Sequence, residues 1–151
     1  MFVFFFEINA ERCTLENKFG DKSVLISDKT SIGFMKKMYA GRIWDMLLFN
    51  FQSDGHQSYL NRCILVYNCD DLKEAMHIRD AIKEQMDKKY IIIDFTDKET
   101  NLIYYLGGES PTDKDMPGFS ISIIKYNDDL DEKKYGVRVD YGPYNYVKEE
   151  L

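Results

Sequence analysis

Residues 62–96 constrain the fold of this chain more than any other stretch. They begin with a short apolar run at 63–67 and end with a second one at 90–95, and both runs favour β-strands. Between them lie two aspartates and a pattern of helical spacing. The stretch therefore predicts strand, helix, strand. If the two strands are parallel neighbours, we expect a right-handed connection, and the intervening length suits a helical crossover.

The central helix is predicted at about 71–88, with Asp70 or Asp71 as its N-cap. At 100° per residue, one stripe of this helix is apolar: Leu72, Ala75, Met76, Ile82 and Met86. Arg79 lies in the middle of that stripe. We expect its stem to cross the edge of the core and its charge to reach water. Pairing with a buried carboxylate such as Asp94 is the alternative.

A second helix is predicted at about 31–49. Residues 28–31 offer several capping side chains, and apolar residues follow at helical spacing. These residues are Ile32, Met35, Tyr39, Ile43, Met46 and Leu47. Gly33 and Gly41 weaken the prediction, because each costs a helix roughly 1 kcal/mol relative to alanine.

The rest of the chain favours strands. Residues rich in β-branched and aromatic side chains occur at 2–8, 13–19, 23–27, 101–106, 119–126 and 135–141. The expected product is a single α+β domain spanning residues 1–151. It contains two helices and a mixed sheet that is mostly antiparallel.

Net charge limits the possible partners. The chain carries a formal charge of −6 at pH 7 and a pI near 5.0. An acidic domain repels phosphate, so neither direct nucleic-acid binding nor membrane-surface binding is expected. A basic protein is the better partner. Acidic residues and tyrosines are concentrated together in the last third of the chain, where residues 101–151 hold seven of the eleven tyrosines.

The predicted docking surface combines an acidic loop with the tyrosine-rich strand that follows it. Acids steer a basic partner, and tyrosine offers contact area at low entropic cost. The candidate partner-binding residues are Asp128, Asp129, Asp131, Glu132, Tyr135, Tyr141, Tyr144 and Tyr146.

Motifs for catalysis are scarce. The sequence has no phosphate-cradling glycine pattern and no zinc-ligand spacing, and we expect no cofactor. His56 lies in a polar loop, where a solvated histidine is the expected case and an acid/base role is the alternative. Asp94 and Asp97 end an apolar strand and offer oxygen ligands for a divalent cation. An aspartate in that place more often starts a turn.

Three cysteines without paired spacing predict reduced thiols and a cytoplasmic protein. The apolar N-terminal run lacks the features of a signal peptide and is too short to span a bilayer. The leading hypothesis is a non-enzymatic protein-binding module, a small intracellular inhibitor of the immunity-protein, antitoxin or phage anti-defence type. Its partner would be a basic protein, such as a toxin or nuclease. The alternative is a small metal-dependent hydrolase or nucleotide-modifying enzyme that uses Asp94 and Asp97 with help from His56. A third hypothesis is a subunit of a larger assembly, whose sign would be an apolar patch exposed on the monomer.

Overall fold

One antiparallel sheet of eight strands organises the structure, a computed structural model that describes residues 24–27, 30–53, 58–127 and 133–144. The strands are β1 (Val24–Ser27), β2 (Ser31–Tyr39), β3 (Arg42–Ser53), β4 (Ser58–Cys69), β5 (Ile92–Thr96), β6 (Ile103–Gly107), β7 (Phe119–Lys125) and β8 (Tyr135–Tyr141). Their order in the sheet is β1-β2-β3-β4-β8-β7-β6-β5. The predicted α+β class is confirmed only in this coarse form, because all neighbouring pairs are antiparallel and the predicted mixed sheet is wrong. The strands predicted at 2–8 and 13–19 lie outside the described residues.

The helix predicted at 71–88 is confirmed as α1 (Leu72–Asp87). Two reciprocal hydrogen bonds cap its first turn. The Glu74 N–H donates to Asp71 Oδ1 at 2.8 Å, and the Asp70 N–H donates to Glu74 Oε2 at 3.0 Å. The first bond satisfies a backbone donor that the helix itself cannot pair, and the second holds the residue before the N-cap, in an arrangement close to a capping box. Within the described part of the chain, no helix has both the length and the apolar character needed to cross a bilayer.

The helix α1 covers one face of the sheet, which we call the inner face. It packs against β7, β8, β4 and β5. Its side chains Ile82 and Met86 are fully buried and belong to the same core cluster as Ile121, Val137 and Val139 of the sheet. Removing these side chains from water is the main favourable contribution to folding. The opposite side of the sheet is called the outer face.

The strands at 63–67 and 90–95 are not parallel neighbours, so the condition for a right-handed crossover is not met. The strands β4 and β5 belong to the same sheet, but β8, β7 and β6 lie between them. β8 pairs with β4 from Cys63↔Tyr141 to Cys69↔Tyr135 and occupies the place expected for β5. The helix α1 therefore crosses the inner face of the sheet, and the chain that follows it forms β5 at the edge.

The helix predicted at 31–49 is also wrong, because this segment forms the hairpin of β2 and β3. The two strands pair from Ser31↔Asn50 to Tyr39↔Arg42. Ala40 and Gly41 connect them with φ values of 51° and 81°. Positive φ at both central residues defines a type I′ turn, whose twist suits a two-residue hairpin. Lys36, also at positive φ, interrupts the alternation of buried and exposed residues that would identify a strand.

The turn gives a prediction for stability. Ala40 adopts a left-handed conformation that costs a residue with a Cβ about 1–2 kcal/mol, whereas asparagine tolerates it better. We expect Ala40→Asn to raise the free energy of unfolding by about 1 kcal/mol in urea denaturation. The matched Ala40→Val variant adds a β-branched side chain and should destabilise the protein. Equal shifts in the two variants would contradict this account of the turn.

Candidate functional site

The predicted docking residues are placed unevenly. Residues 128–132, with all four predicted acids, and Tyr146 lie outside the described residues. Tyr141 and Tyr144 lie in the core, where they are only 3% and 7% exposed, and the Tyr144 hydroxyl donates a hydrogen bond to the Gly118 carbonyl. Neither side chain is on the surface, so Tyr135, which is half-buried, is the one predicted docking tyrosine that the described chain leaves accessible.

Other tyrosines of this region also serve the fold. The Tyr126 hydroxyl donates to Asn68 Oδ1 at 2.6 Å and joins the end of β7 to β4. The Tyr105 hydroxyl donates to Asp80 Oδ1 at 2.7 Å and joins β6 to α1. Tyrosine is favoured in strands because its ring packs on the pleated surface while its hydroxyl finds a partner. The concentration of tyrosines in this region is therefore explained by packing of the sheet and does not by itself indicate a docking surface.

The candidate metal residues do not converge. Alternation along β5 directs Asp94 to the inner face, while Asp97 lies on the outer side of the turn that follows. Asp97 Oδ1 accepts hydrogen bonds from the backbone of Glu99 and Thr100, which fix that turn. Within the described ranges, no group of three or more His, Cys, Asp or Glu is placed to hold a metal ion. His56 lies outside these ranges.

A cluster of titratable side chains lies between α1 and β6. Arg79 Nε donates to Asp80 Oδ1 at 2.9 Å, and the Arg79 guanidinium lies 5.6 Å from the centre of the Tyr105 ring. Burial raises the pKa of Tyr105 to about 12, and the hydrogen bond to Asp80 acts in the same direction. A tyrosine that keeps its proton so firmly is a poor base or nucleophile near neutral pH. The cluster holds the helix on the sheet.

An exposed apolar patch lies on the outer face at the edge strand β5. Ile91, Ile93 and Phe95 follow one another at every second residue and are 85%, 57% and 42% exposed. Met116, in the loop between β6 and β7, is 56% exposed and lines the same concavity. We call these four residues the β5 patch. Phe95 stacks on Tyr104 of β6, with ring centres 5.6 Å apart, which holds its ring in place.

Three adjoining concavities extend the β5 patch across the outer face. They share Leu106 of β6 and have volumes of about 490, 340 and 420 Å³. The first contains the patch, the second contains Tyr104, and the third reaches Pro143 beyond β8. A concave surface with an exposed apolar centre, such as the first concavity, is typical of a docking site.

Carboxylates surround this surface. Asp97, Glu109, Asp113, Asp115 and Asp140 line the three concavities. Asp140 is compensated by Arg62 and Arg138, which bond to it at 2.8 and 2.7 Å. Among the described residues, the other four carboxylates share these walls with one cation, Lys114. The rim of the β5 patch is therefore acidic and favours a cationic partner.

A second exposed apolar group lies at the tip of the β2–β3 hairpin and has the opposite charge. Met38 and Ile43 are 61% and 54% exposed, and Lys36 and Lys37 are close to them in sequence. Lys36 forms an ion pair with Asp45. This group has apolar exposure comparable to that of the β5 patch without its acidic rim. It therefore supplies matched control positions for experiments on the β5 patch.

The β5 patch was not predicted from the sequence, because the exposure of its residues depends on the order of the strands in the sheet. The run at 90–95 is apolar at most positions, which suits a strand buried on both faces between neighbours. At the edge of a sheet the same run leaves one face open. The sequence does contain one signal for this topology. The strands predicted at 101–106, 119–126 and 135–141 can pair as two successive hairpins, and the last of them can then lie beside β4 in place of the strand at 90–95.

Comparison of the chain with family models, with curated proteins and with solved structures gives no significant match.

Proposed function

We propose that this chain is a non-enzymatic protein-binding module that docks a basic partner protein on the β5 patch and its acidic rim. The observation that carries the proposal is the coincidence of exposed apolar side chains with an excess of carboxylates along three adjoining concavities of the outer face. Interfaces of this type take their affinity from the apolar centre and their association rate from the charged rim. A small intracellular inhibitor of the immunity-protein, antitoxin or anti-defence type, directed at a toxin or nuclease, would act in this way.

The net charge of −6 supports the same proposal. A basic partner is attracted over a distance of about 8–10 Å at physiological ionic strength, and salt screens this attraction. The predicted acidic loop at 128–132 would add to it. Catalysis by Asp94 and Asp97 has no comparable support, because these two carboxylates diverge.

The proposal is tested by affinity capture from the source cells, followed by binding kinetics with the captured protein after purification. Ile93→Ser combined with Phe95→Ser should weaken binding by more than about tenfold, because apolar anchors at the centre of an interface contribute most of its affinity. The control exchanges Met38 and Ile43 for serine and removes similarly exposed apolar side chains from the hairpin tip. It should bind like the unmodified protein.

Two outcomes would contradict the proposal. The first is a captured partner that binds the Ile93/Phe95 variant and the control variant equally well, which would exclude the β5 patch as the docking surface. The second is an association rate that is the same at low and high salt, which would exclude electrostatic steering by the acidic rim.

A further inference from the structure

The strand β5 lies at one end of the sheet. Among the described strands its one neighbour is β6, and within the described residues its other edge is free. Proteins usually protect such an edge with lysine, proline, a bulge or a covering loop. Within the described residues β5 carries none of these, and its one protective feature is the inward-pointing charge of Asp94. Its sequence is IIDFT, it pairs with β6 without a register shift, and four of its five residues are exposed. An edge of this kind is a template for another strand.

The hydrogen bonds to β6 identify the groups that β5 offers. The Gly108 N–H donates to the Ile91 carbonyl at 3.1 Å, and the Asp97 N–H donates to the Leu102 carbonyl at 2.9 Å. Backbone groups alternate in direction along an antiparallel strand, so the odd-numbered residues of β5 face β6. The N–H and C=O groups of Ile92, Asp94 and Thr96 therefore point away from the sheet.

The two faces beside this edge differ in chemistry. On the outer face lies the apolar β5 patch. On the inner face lie Asp94 of β5 and Asp87 of α1, with Lys83 near both; Lys83 Nζ bonds to Asp87 Oδ2 at 2.7 Å. The hydrogen bond to Asp87, together with the charges of Asp87, Asp94 and Asp80, raises the pKa of Lys83. The carboxylates outnumber this lysine, so the inner side of the edge favours a cation.

We propose that β5 binds an extended segment of a basic partner as an added antiparallel strand. In this segment lysine or arginine alternates with apolar residues: the cationic side chains lie beside Asp94 and Asp87, and the apolar side chains cover the β5 patch. The inference rests on the proposed function and adds the mode of binding and the sequence chemistry of the partner.

Along a β-strand, the directions of the backbone groups and of the side chains both alternate with a period of two residues. In an antiparallel pair, residues directly opposite each other place their side chains on the same face. The residues that exchange hydrogen bonds with Ile92, Asp94 and Thr96 are therefore the cationic residues of the segment. The apolar residues between them face Ile91, Ile93 and Phe95. A second copy of this chain fits less well, because its β5 would bring another net charge of −6 to the same edge.

Backbone amide exchange tests the proposal on the full chain. The probe is a short synthetic peptide in which lysine and valine alternate. Its binding should slow exchange of the N–H groups of Ile92, Asp94 and Thr96 by more than about tenfold, because those groups acquire acceptors. The N–H groups of Ile93 and Phe95, which already face β6, should change little. Equal protection of both sets, or of neither set, would overturn the proposal.

Methylation of the peptide backbone provides a test that leaves the protein unaltered. A peptide N-methylated at its lysines loses the donors that face β5 and should fail to protect the edge. A peptide N-methylated at its valines keeps those donors and should still bind. Equal binding by the two methylated peptides would contradict antiparallel strand addition.

Two substitutions at Asp94 separate charge from backbone pairing. Asp94→Asn removes the charge and keeps the N–H, so peptide binding should weaken by about threefold, the effect of one exposed ion pair. Asp94→Pro also removes the outward N–H and should weaken binding by more than about tenfold. Proline is tolerated where an edge N–H faces solvent, so the fold should persist. If Asp94→Pro binds the peptide as well as Asp94→Asn does, strand addition is wrong.

The failure of this inference can be told apart from the failure of the proposed function. A captured partner that needs Ile93 and Phe95 but leaves the Asp94 N–H unprotected supports docking on the patch and overturns strand addition. Protection of the same N–H groups in the protein alone, rising with concentration and accompanied by a dimer mass, would identify a second copy as the occupant. That result would also overturn the inference.

Discussion

Replacing Trp44 with alanine is expected to lower the free energy of unfolding by about 4 kcal/mol, as is typical for a fully buried tryptophan. The ring is 0% exposed, and its Nε1–H donates to the Tyr39 carbonyl at 2.9 Å across the β2–β3 turn. It also contacts the Tyr67 ring edge to face, at 6.4 Å between centres. One side chain therefore joins the hairpin to β4.

The Trp44→Phe variant separates packing from hydrogen bonding. It keeps most of the apolar ring and loses the Nε1 donor, so we expect a smaller loss of about 1–2 kcal/mol. Urea unfolding followed by far-ultraviolet circular dichroism suits these variants, because Trp44 is the only tryptophan of the chain. A loss below about 1 kcal/mol for the alanine variant would contradict the position of Trp44 in the core.

Replacing Arg79 with alanine should cost about 3 kcal/mol, because it empties a buried site and leaves the Ile103 carbonyl and Asp80 without the donors that Arg79 supplies. Arg79 is 3% exposed. Its Nη1–H donates at 2.8 Å to the Ile103 carbonyl, which lies beyond the last paired residue of the β6–β7 ladder, Tyr105. The guanidinium thus satisfies a carbonyl for which β7 offers no donor, and it ties α1 to the sheet.

The Arg79→Met variant is the matched control for packing. Methionine fills most of the volume of the arginine stem and has no donors, so we expect about half of the loss seen with alanine. Both losses are measured by urea unfolding. If the two variants unfold at the same urea concentration as the unmodified protein, the hydrogen bonds of Arg79 contribute nothing net. Equal losses would assign the whole effect to the missing donors.

Arg79 also shows what the sequence could and could not predict. Helical spacing correctly placed it on the buried stripe of α1, but the expectation that its charge reaches water is wrong. The alternative of an acidic partner came closer. The partner is Asp80, its neighbour in sequence, and the Ile103 carbonyl is a second acceptor. The spacing of residues along a helix identifies its buried face. The hydrogen-bond acceptors that this face meets depend on where the pairing between strands ends, and local spacing does not show that.

The segment 31–49 shows how a helical pattern can mislead. The predicted stripe included Met35 and Ile43, which are 44% and 54% exposed, and it omitted Phe34 and Trp44, which are fully buried. The irregularity at Lys36 shifts the alternation of the strands, so the apolar residues imitate a helical period. The turn at Ala40-Gly41 lacks the asparagine or aspartate that usually identifies a type I′ hairpin.

The sequence indicated the acidic character of the candidate site, but neither its apolar centre nor its position. Acidic charge and the absence of catalytic motifs favoured a protein-binding surface, and these properties do not depend on topology. The position of the β5 patch does, because Ile93 and Phe95 are exposed only when three other strands separate β5 from β4. Strand order is decided by pairings between residues far apart in the chain, such as Cys63↔Tyr141, and no local pattern encodes them.

The position of β8 has a consequence for how the chain reaches its folded state. β8 lies between β4 and β7, so among the described strands it is the one that joins the block β1–β4 to the block β5–β7. Each block is built from antiparallel neighbours close in sequence, and such local pairs form quickly. The two blocks can join through β8 only when residues 69 and 135 come together, which closes a long loop. Until that loop closes, β4 and β7 each lack the neighbour that β8 supplies, and open strand edges of this kind are prone to pair with other chains.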